Sequence, residues 1–421
     1  MNDVQGDGYA VAATTAFARK RRRGVFFVIG TLDLGGTESQ LVLLAKELKK
    51  RGWRVEVFAL SQGGVLAEPL HRDGIPVFCG LHHRLNTAST SPSSPGTVSK
   101  PGSAPKTLRM LKALTVLAAA TARLLGHITF TRPSVVHAFL PLTNFIGAVT
   151  GRIALAPLVI TSRRGLGNHQ ERRPRLIWMD RIANRLSHVV VANSDAVATD
   201  TAVRDDYDID RIRVIPNGLD LSRFDDLGHR RGETRRRLGL DPEEIGIVIV
   251  ANLIPYKGHR DLIEAFALAS EQRPNLKLFL AGEDRGIGPA LAEEAQRLGV
   301  GSKVRALGGQ NDIPGLLAGM DVGVIASHEE GFCNALMEKL AAGLPVVATN
   351  VGGNPEAVSG LPGCELVEPR APVDLARGLL AVLDRLPEPA ADREFRQRTM
   401  RVRYSVGAMA DAYERLYLVE R

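Results

Sequence analysis

Short β-branched runs alternate with amphipathic helical runs along this chain, and the whole set occurs twice. In the first half the strands read Val25–Gly30, Arg54–Leu60, Val135–Ala138, Leu158–Thr161 and Val189–Ala192, with a helix over Thr37–Arg51. In the second half they read Ile247–Ala251, Lys277–Ala281, Val304–Leu307, Val322–Ala326 and Val346–Ala348, with helices between them. Alternation of this kind predicts an α/β fold class, each sheet parallel and covered by helices on both faces. Val214-Ile215-Pro216-Asn217-Gly218 is a turn signal near the midpoint of the 421 residues and separates the two sets. Two doubly wound domains facing across a cleft are expected, since open parallel sheets bind ligands beyond the carboxyl ends of their strands.

The expected organisation is a disordered basic tail over 1–23, an N-terminal domain over 24–215 and a C-terminal domain over 216–403. Within 404–421 the helix Val406–Val419 is expected to pack back on the first domain. Residues 86–106 are rich in Ser, Thr, Pro and Gly and predict a flexible surface loop, because such a segment buries too little apolar surface to order itself.

Aromatic residues make up only 5% of the chain, which argues against a lectin or a base-stacking RNA binder. Basic residues are not interleaved with aromatics, so no nucleic-acid partner is expected. Cys79, Cys333 and Cys364 are too few and too scattered for a disulfide framework or a zinc site, and fit a reducing cytoplasm. The basic run at 19–23 before Val25–Ile29 imitates a secretory signal, but its apolar part stops within a few residues at Asp33. Leu111–Phe130 is the most apolar later stretch; with Lys112, Arg123 and His127 it is expected not to span a membrane. Residues 1–215 carry 29 Lys+Arg against 16 Asp+Glu, and the remainder 25 against 30. A basic first half suits an anionic partner such as a lipid surface or a phosphorylated acceptor; a charged solvated face is the plainer reading.

Four constellations follow strands. Gly35-Gly36 precedes a helix, where free N–H groups favour phosphate; a tight turn is the alternative. Asn252 and Lys257-Gly258 follow the first strand of the second set, and a lysine beside a helix start suits a diphosphate, unless it is merely solvent-exposed. Glu330-Gly-Phe-Cys-Asn-Ala-Leu-Met-Glu338 enters a helix, offering the Glu330 carboxylate and the amides of Phe332, Cys333 and Asn334 to a ligand. Glu338 lies about two turns on, where a carboxylate can accept both hydroxyls of a ribose. Among small apolar face-mates such as Ala335 it calls for a partner. His137 closes a strand and Arg163-Arg164 closes another; a sugar contact for His137 competes with a structural role.

These residues resemble the family-4 retaining glycosyltransferases, whose architecture of two Rossmann-like domains is called GT-B. The resemblance runs from Val25 to Val419 through Gly35-Gly36, Val135-Val-His-Ala, Val214-Ile-Pro-Asn-Gly, Lys257-Gly258, Ala281-Gly282 and Glu330…Glu338, then Ala342-Gly-Leu-Pro-Val-Val and Gly352-Gly-Asn-Pro-Glu356. It implies an enzyme moving a sugar from a nucleotide-diphosphate donor to a lipid-linked or glycan acceptor. Cell-surface polysaccharide, lipopolysaccharide or glycolipid synthesis would be the setting. It further implies that Glu338 binds the ribose, Lys257 the diphosphate, and Glu330 with the following amides the transferred sugar. Gly36 would let the donor phosphate approach, and Arg163 would meet the acceptor. No cofactor and no metal are expected, and Asp208-Ile-Asp210 reads as a surface turn. Asn252 stands where many members have Arg, and Phe139 where many have a second His. A non-catalytic scaffold that binds sugar nucleotides and a sugar-nucleotide epimerase of the same fold are the rival readings. Cytoplasmic localisation with peripheral attachment to an anionic membrane surface is expected.

Overall fold

The computed structural model describes residues 23–61, 63–80, 106–167 and 174–420. The expected basic tail, apart from Arg23, and the expected loop up to residue 105 lie outside them. Two compact units divide the chain. One is Met1–Ser162 with Arg173–Val190 and Leu416–Arg421; the other is Arg163–Arg172 with Val191–Arg415.

The first sheet has seven strands: β1 (Gly24–Ile29), β2 (Arg54–Ala59), β3 (Val77–Cys79), β4 (Val135–Phe139), β5 (Leu158–Arg163), β6 (Val189–Ala192) and β7 (Ile212–Val214). Their order is β3-β2-β1-β4-β5-β6-β7. The second sheet has six: β8 (Ile245–Val250), β9 (Leu276–Ala281), β10 (Val304–Gly308), β11 (Val322–Ile325), β12 (Val346–Thr349) and β13 (Cys364–Val367), in the order β10-β9-β8-β11-β12-β13. The strand pairings resolved in both are parallel, as the alternation predicted. Three strands lacked a sequence signal: β3, β7 and β13 are three- or four-residue sheet edges, and none of them has more than one buried side chain. Such short, half-wetted runs carry too little periodicity to read.

Period-two alternation sorts the core. Phe26, Val28, Val136, Ala138 and Val159 face the helices Lys106–Thr131 and Pro141–Ile153, whose Ala120, Leu124, Ile128, Ile146 and Ala148 are buried with them. In the second sheet Val248, Phe279, Ile325 and Val346 pack with Leu336, Met337 and Leu340 on one face. Ile247, Ile249, Val322 and Val324 pack with Ile263, Phe266 and Leu379 on the other. Each Val, Leu, Ile, Phe or Met among them contributes roughly 1.5–3 kcal/mol relative to exposure, and each Ala less.

The helix Lys106–Thr131 corrects one expectation. Its window Leu114–Thr131 has a mean hydropathy of 1.3 and is only 17% buried, so by length and composition it is apolar enough to cross a membrane. Lys112, which weighed against the segment, falls outside that window. Ala120, Leu124 and Ile128 nevertheless fix one face of the helix in the core of its unit.

Candidate active site

In the second sheet the strand order reverses between β8 and β11, which lie side by side. Connections on the two sides of such a reversal diverge and leave a crevice at the carboxyl edge. The loop after β8 forms a tight turn over Pro255–Lys257 and enters the helix His259–Gln272 through Gly258. Gly258 has φ +68°, and a Cβ there would come within 1.9 Å of the Ala326 carbonyl oxygen, so only glycine fits. The loop after β11 runs through Glu330 into the helix Asn334–Ala341. The two loops are fastened together: the His328 amide donates to the Tyr256 carbonyl at 2.8 Å, and His328 Nε2 lies 2.7 Å from Asp261 Oδ2.

Lys257 and Glu330, read from sequence as separate contacts, meet here. Lys257 Nζ donates to Glu330 Oε1 at 2.5 Å, and Ser327 Oγ donates to the same oxygen at 2.7 Å. Burial is the largest influence and disfavours the charged ammonium, but Glu330, helped by Cys333 and Tyr256, outweighs it and raises the Lys257 pKa. The lysine therefore stays charged, held by the Glu330 carboxylate.

Glu338 lies on the helix Asn334–Ala341, half-buried, and among the described residues its carboxylate has no hydrogen-bond partner. Burial raises its pKa, and Lys339 and then Arg223 oppose the rise. A desolvated carboxylate with open acceptor positions suits two neighbouring hydroxyls.

Backbone geometry carries the rest of the segment. Cys333 is the N-cap residue of the helix, buried, its thiol pushed up to about 12 by burial and then by Glu330. Phe332 is buried, with its ring centroid 5.3 Å from that of Tyr404. The Asn334 side chain is committed to structure: its Oδ1 accepts from Asn217 Nδ2 at 2.8 Å, and Arg164 Nη1 donates to Asn217 Oδ1 at 2.7 Å. Ser194 Oγ and the Gly353 amide both donate to the Gly331 carbonyl, at 3.1 and 2.8 Å. Sequence reasoning missed Ser327, Asn217 and Ser194 as supports of this loop. Asn217 had a signal only as part of a turn motif. Asn252 is exposed and accepts the Glu283 amide on its Oδ1 at 3.1 Å, which ties it to the neighbouring loop.

Arg163 and His137 sit differently from the sequence expectation. Arg163 was expected at the acceptor, but its side chain is 4% exposed and its Nη2 lies 3.7 Å from the buried Asp205 carboxylate. His137 was read either as a sugar contact or as a structural residue, and it is fully buried. Its Nδ1 lies 2.7 Å from Tyr417 Oη and its Nε2 2.7 Å from Ser162 Oγ. Both are engaged in the interior because apolar neighbours leave a polar side chain no other way to be satisfied.

Gly35 is the extended N-cap residue of the helix Gly36–Lys50, and Gly36 is exposed. A Cβ on Gly35 would come within 2.2 Å of Glu38 Oε2, so the Glu38 carboxylate lies folded over this helix start. Burial raises the Glu38 pKa, with Asp33 adding to it against a backbone hydrogen bond. Asp208 accepts from the Asp210 amide at 3.0 Å and caps a short turn. Among the described residues no group of three or more His, Cys, Asp or Glu is placed to hold a metal ion.

Two doubly wound parallel sheets, with a lysine–glutamate pair at the switch point of the second, have the GT-B architecture. Residues 34–223 match the model of Glycosyltransferase Family 4, and residues 230–398 match that of Glycosyl transferases group 1. The chain belongs to this family of group 1, family 4 glycosyltransferases. It is 28% identical over 379 residues to a D-inositol 3-phosphate glycosyltransferase of Salinispora arenicola, covering 84% of this chain and 80% of that one. The crystal structure of Anabaena HepE in complex with UDP-glucose is similar in fold, with a TM-score of 0.75 and 22% identity over 94% of this chain and all of that one. WaaG, a glycosyltransferase involved in lipopolysaccharide biosynthesis, is similar at a TM-score of 0.64 and 17% identity, over 92% of this chain and 98% of that one.

Proposed function

We propose that this glycosyltransferase moves a hexose from a nucleotide-diphosphate donor, with uridine diphosphate sugars the first choice, to a membrane-proximal lipid-linked or glycan acceptor, retaining the anomeric configuration. The Lys257–Glu330 pair at the β8/β11 switch point, with Glu338 half-buried on the helix that follows the β11 loop, carries the reading. A diphosphate would take the Lys257 ammonium, and Glu338 the ribose hydroxyls. As the glycosidic bond breaks, negative charge grows on the departing diphosphate, and Lys257 with the dipole of the helix His259–Gln272 is aimed to stabilise it. The acceptor hydroxyl attacks on the face the diphosphate leaves, and the leaving phosphate takes its proton. No metal enters this scheme, since Lys257 and the backbone dipoles supply the positive potential.

HepE, crystallised with UDP-glucose, supports the choice of donor base. The name of the D-inositol 3-phosphate relative supports a polar, phosphorylated acceptor, and that of the structural neighbour WaaG supports one in lipopolysaccharide biosynthesis. The apolar, largely exposed helix window Leu114–Thr131 and the basic first half support peripheral attachment to an anionic cytoplasmic leaflet in cell-surface polysaccharide, lipopolysaccharide or glycolipid synthesis.

The test is calorimetric binding of uridine, guanosine and adenosine diphosphate sugars, in chelator, to wild type and to Glu338→Ala. Binding of one donor that disappears in the variant is expected. Silence of the wild type toward all of them would move the reading to a scaffold without turnover.

A further inference from the structure

We propose that the outer face of the layer formed by the helices Lys106–Thr131, Pro141–Ile153 and Pro174–Leu186 docks on an anionic bilayer, with Trp178 the side chain that enters it. The inference deepens the membrane part of the reading above and rests on it, naming the face and the inserting residue.

The three helices lie side by side, the middle one packed against both others. Ala120, Leu124, Ile128, Ile146, Ala148 and Ala183 turn into one core with Val136 and Val159, so the opposite sides of the helices point outward. Those sides stand out by what they lack. The three helices contain a single carboxylate, Asp180, and it is buried. Arg152, Arg181 and Arg185 are exposed. Helices elsewhere in the chain mix the signs, as solvated faces do. Gly36–Lys50 sets Glu38 and Glu47 beside Lys46, Lys49 and Lys50, and His259–Gln272 sets Asp261, Glu264 and Glu271 beside Arg260.

Apolar side chains stand among the arginines. Trp178, Arg181 and Arg185 are spaced i, i+3, i+7 and share one stripe of their helix. Trp178 is 60% exposed, its ring centroid 6.2 Å from that of the partly buried Phe145 on the middle helix. Leu142 and Ile153 are exposed on that middle helix, and Leu114, Val116 and Phe130 on the first. The mixture selects the occupant. A second copy of the same face would set arginines against arginines, a costly juxtaposition of like charge. A purely apolar partner would leave the guanidinium groups unanswered. An anionic bilayer answers both: phosphates lie at headgroup depth, and the acyl boundary just beneath takes an indole and aliphatic side chains. Arginine stems lie along apolar surface while their heads reach the phosphates.

Trp178 supplies the probe for the test. The chain has two tryptophans, and the other, Trp53, is 2% exposed and packed edge-on to Tyr417. The full chain is titrated with vesicles of phosphatidylglycerol and phosphatidylcholine, and with phosphatidylcholine alone. With the anionic vesicles only, tryptophan emission is expected to shift to the blue and to be quenched by lipids brominated on their acyl chains. Trp178→Phe is expected to abolish the shift while the protein still sediments with the vesicles. The double variant Arg181→Glu, Arg185→Glu is expected to bind vesicles at least about tenfold more weakly at low salt, with UDP affinity and melting temperature unchanged. If it melts early, quenching of the wild type by brominated lipid decides alone.

Sedimentation of wild type with its tryptophan emission unmoved would overturn this face and leave membrane attachment standing. Equal binding to neutral vesicles, or binding untouched by the double reversal in a folded variant, would overturn it too. A blue shift that grows with protein concentration in the absence of vesicles would give the face to a second copy of the chain. No sedimentation with either vesicle would sink the face together with the attachment proposed above, while UDP binding still judges the donor site by itself.

Discussion

The two sheets reverse their strand order in the same way, between β1 and β4 in the first and between β8 and β11 in the second, yet the residues at the two reversals are used oppositely. At the first, His137 stacks on Phe139 with ring centroids 4.3 Å apart and tilts against Phe27 at 5.6 Å, and both its nitrogens are bonded. At the second, Lys257 and Glu330 form an ion pair and Glu338 is half-buried with no hydrogen-bond partner among the described residues. One reversal has been filled with satisfied aromatic packing. The other retains a partly buried ion pair and a carboxylate, and the proposed function places its ligand there. The same topology thus occurs twice, and side-chain satisfaction distinguishes the two.

The comparison predicts a steep asymmetry under mutation. Lys257→Ala should cost the most, about 10²–10³-fold in kcat with a donor and acceptor pair, as for loss of a preorganised transition-state donor. A change confined to KM would mean that Lys257 binds without assisting departure. Glu338→Ala should come next, weakening nucleotide binding about 10- to 100-fold through the loss of charge-assisted hydrogen bonds, read by calorimetry. Affinity within twofold of wild type would remove Glu338 from the ribose.

His137→Leu should reverse the pattern: about 1–3 kcal/mol less stable in urea, because Tyr417 and Ser162 lose their partner, with nucleotide affinity unchanged. A fall in kcat at equal stability would return His137 to the sugar and break the contrast.

The smallest effect is on the pH dependence of stability. Because burial raises the Glu338 pKa in the folded state, ionising it opposes folding. The destabilisation is fully present above the folded pKa and is relieved as pH falls toward the ordinary value of 4.5. Between those two values wild type should gain stability on acidification relative to Glu338→Gln. The difference of their urea midpoints across that window is the measurement, and the opposite slope would show that Glu338 is ion-paired in the folded protein.

Much of this contrast was legible before any coordinates. The short β-branched runs located the central strands to within two residues at their ends, because strands buried on both faces read as unbroken apolar runs. Glu330, Glu338 and Lys257 stood out because charged residues just beyond such strands are expensive without a role. The edge strands β3, β7 and β13 were not legible, being short and only partly buried. Arg163 and His137 looked like ligand contacts for the same reason that Lys257 did. Only their partners, Asp205 for one and Tyr417 with Ser162 for the other, separate the cases.

By itself the sequence determined the two parallel sheets, the family and the residue types at the strand ends, since periodicity and local motif are properties of neighbours along the chain. Tertiary structure decided which polar groups are satisfied. Lys257 meets Glu330 from 73 residues away, and His137 meets Tyr417 from 280 residues away. Hydrogen bonding and desolvation depend on distance in space, which no local pattern encodes.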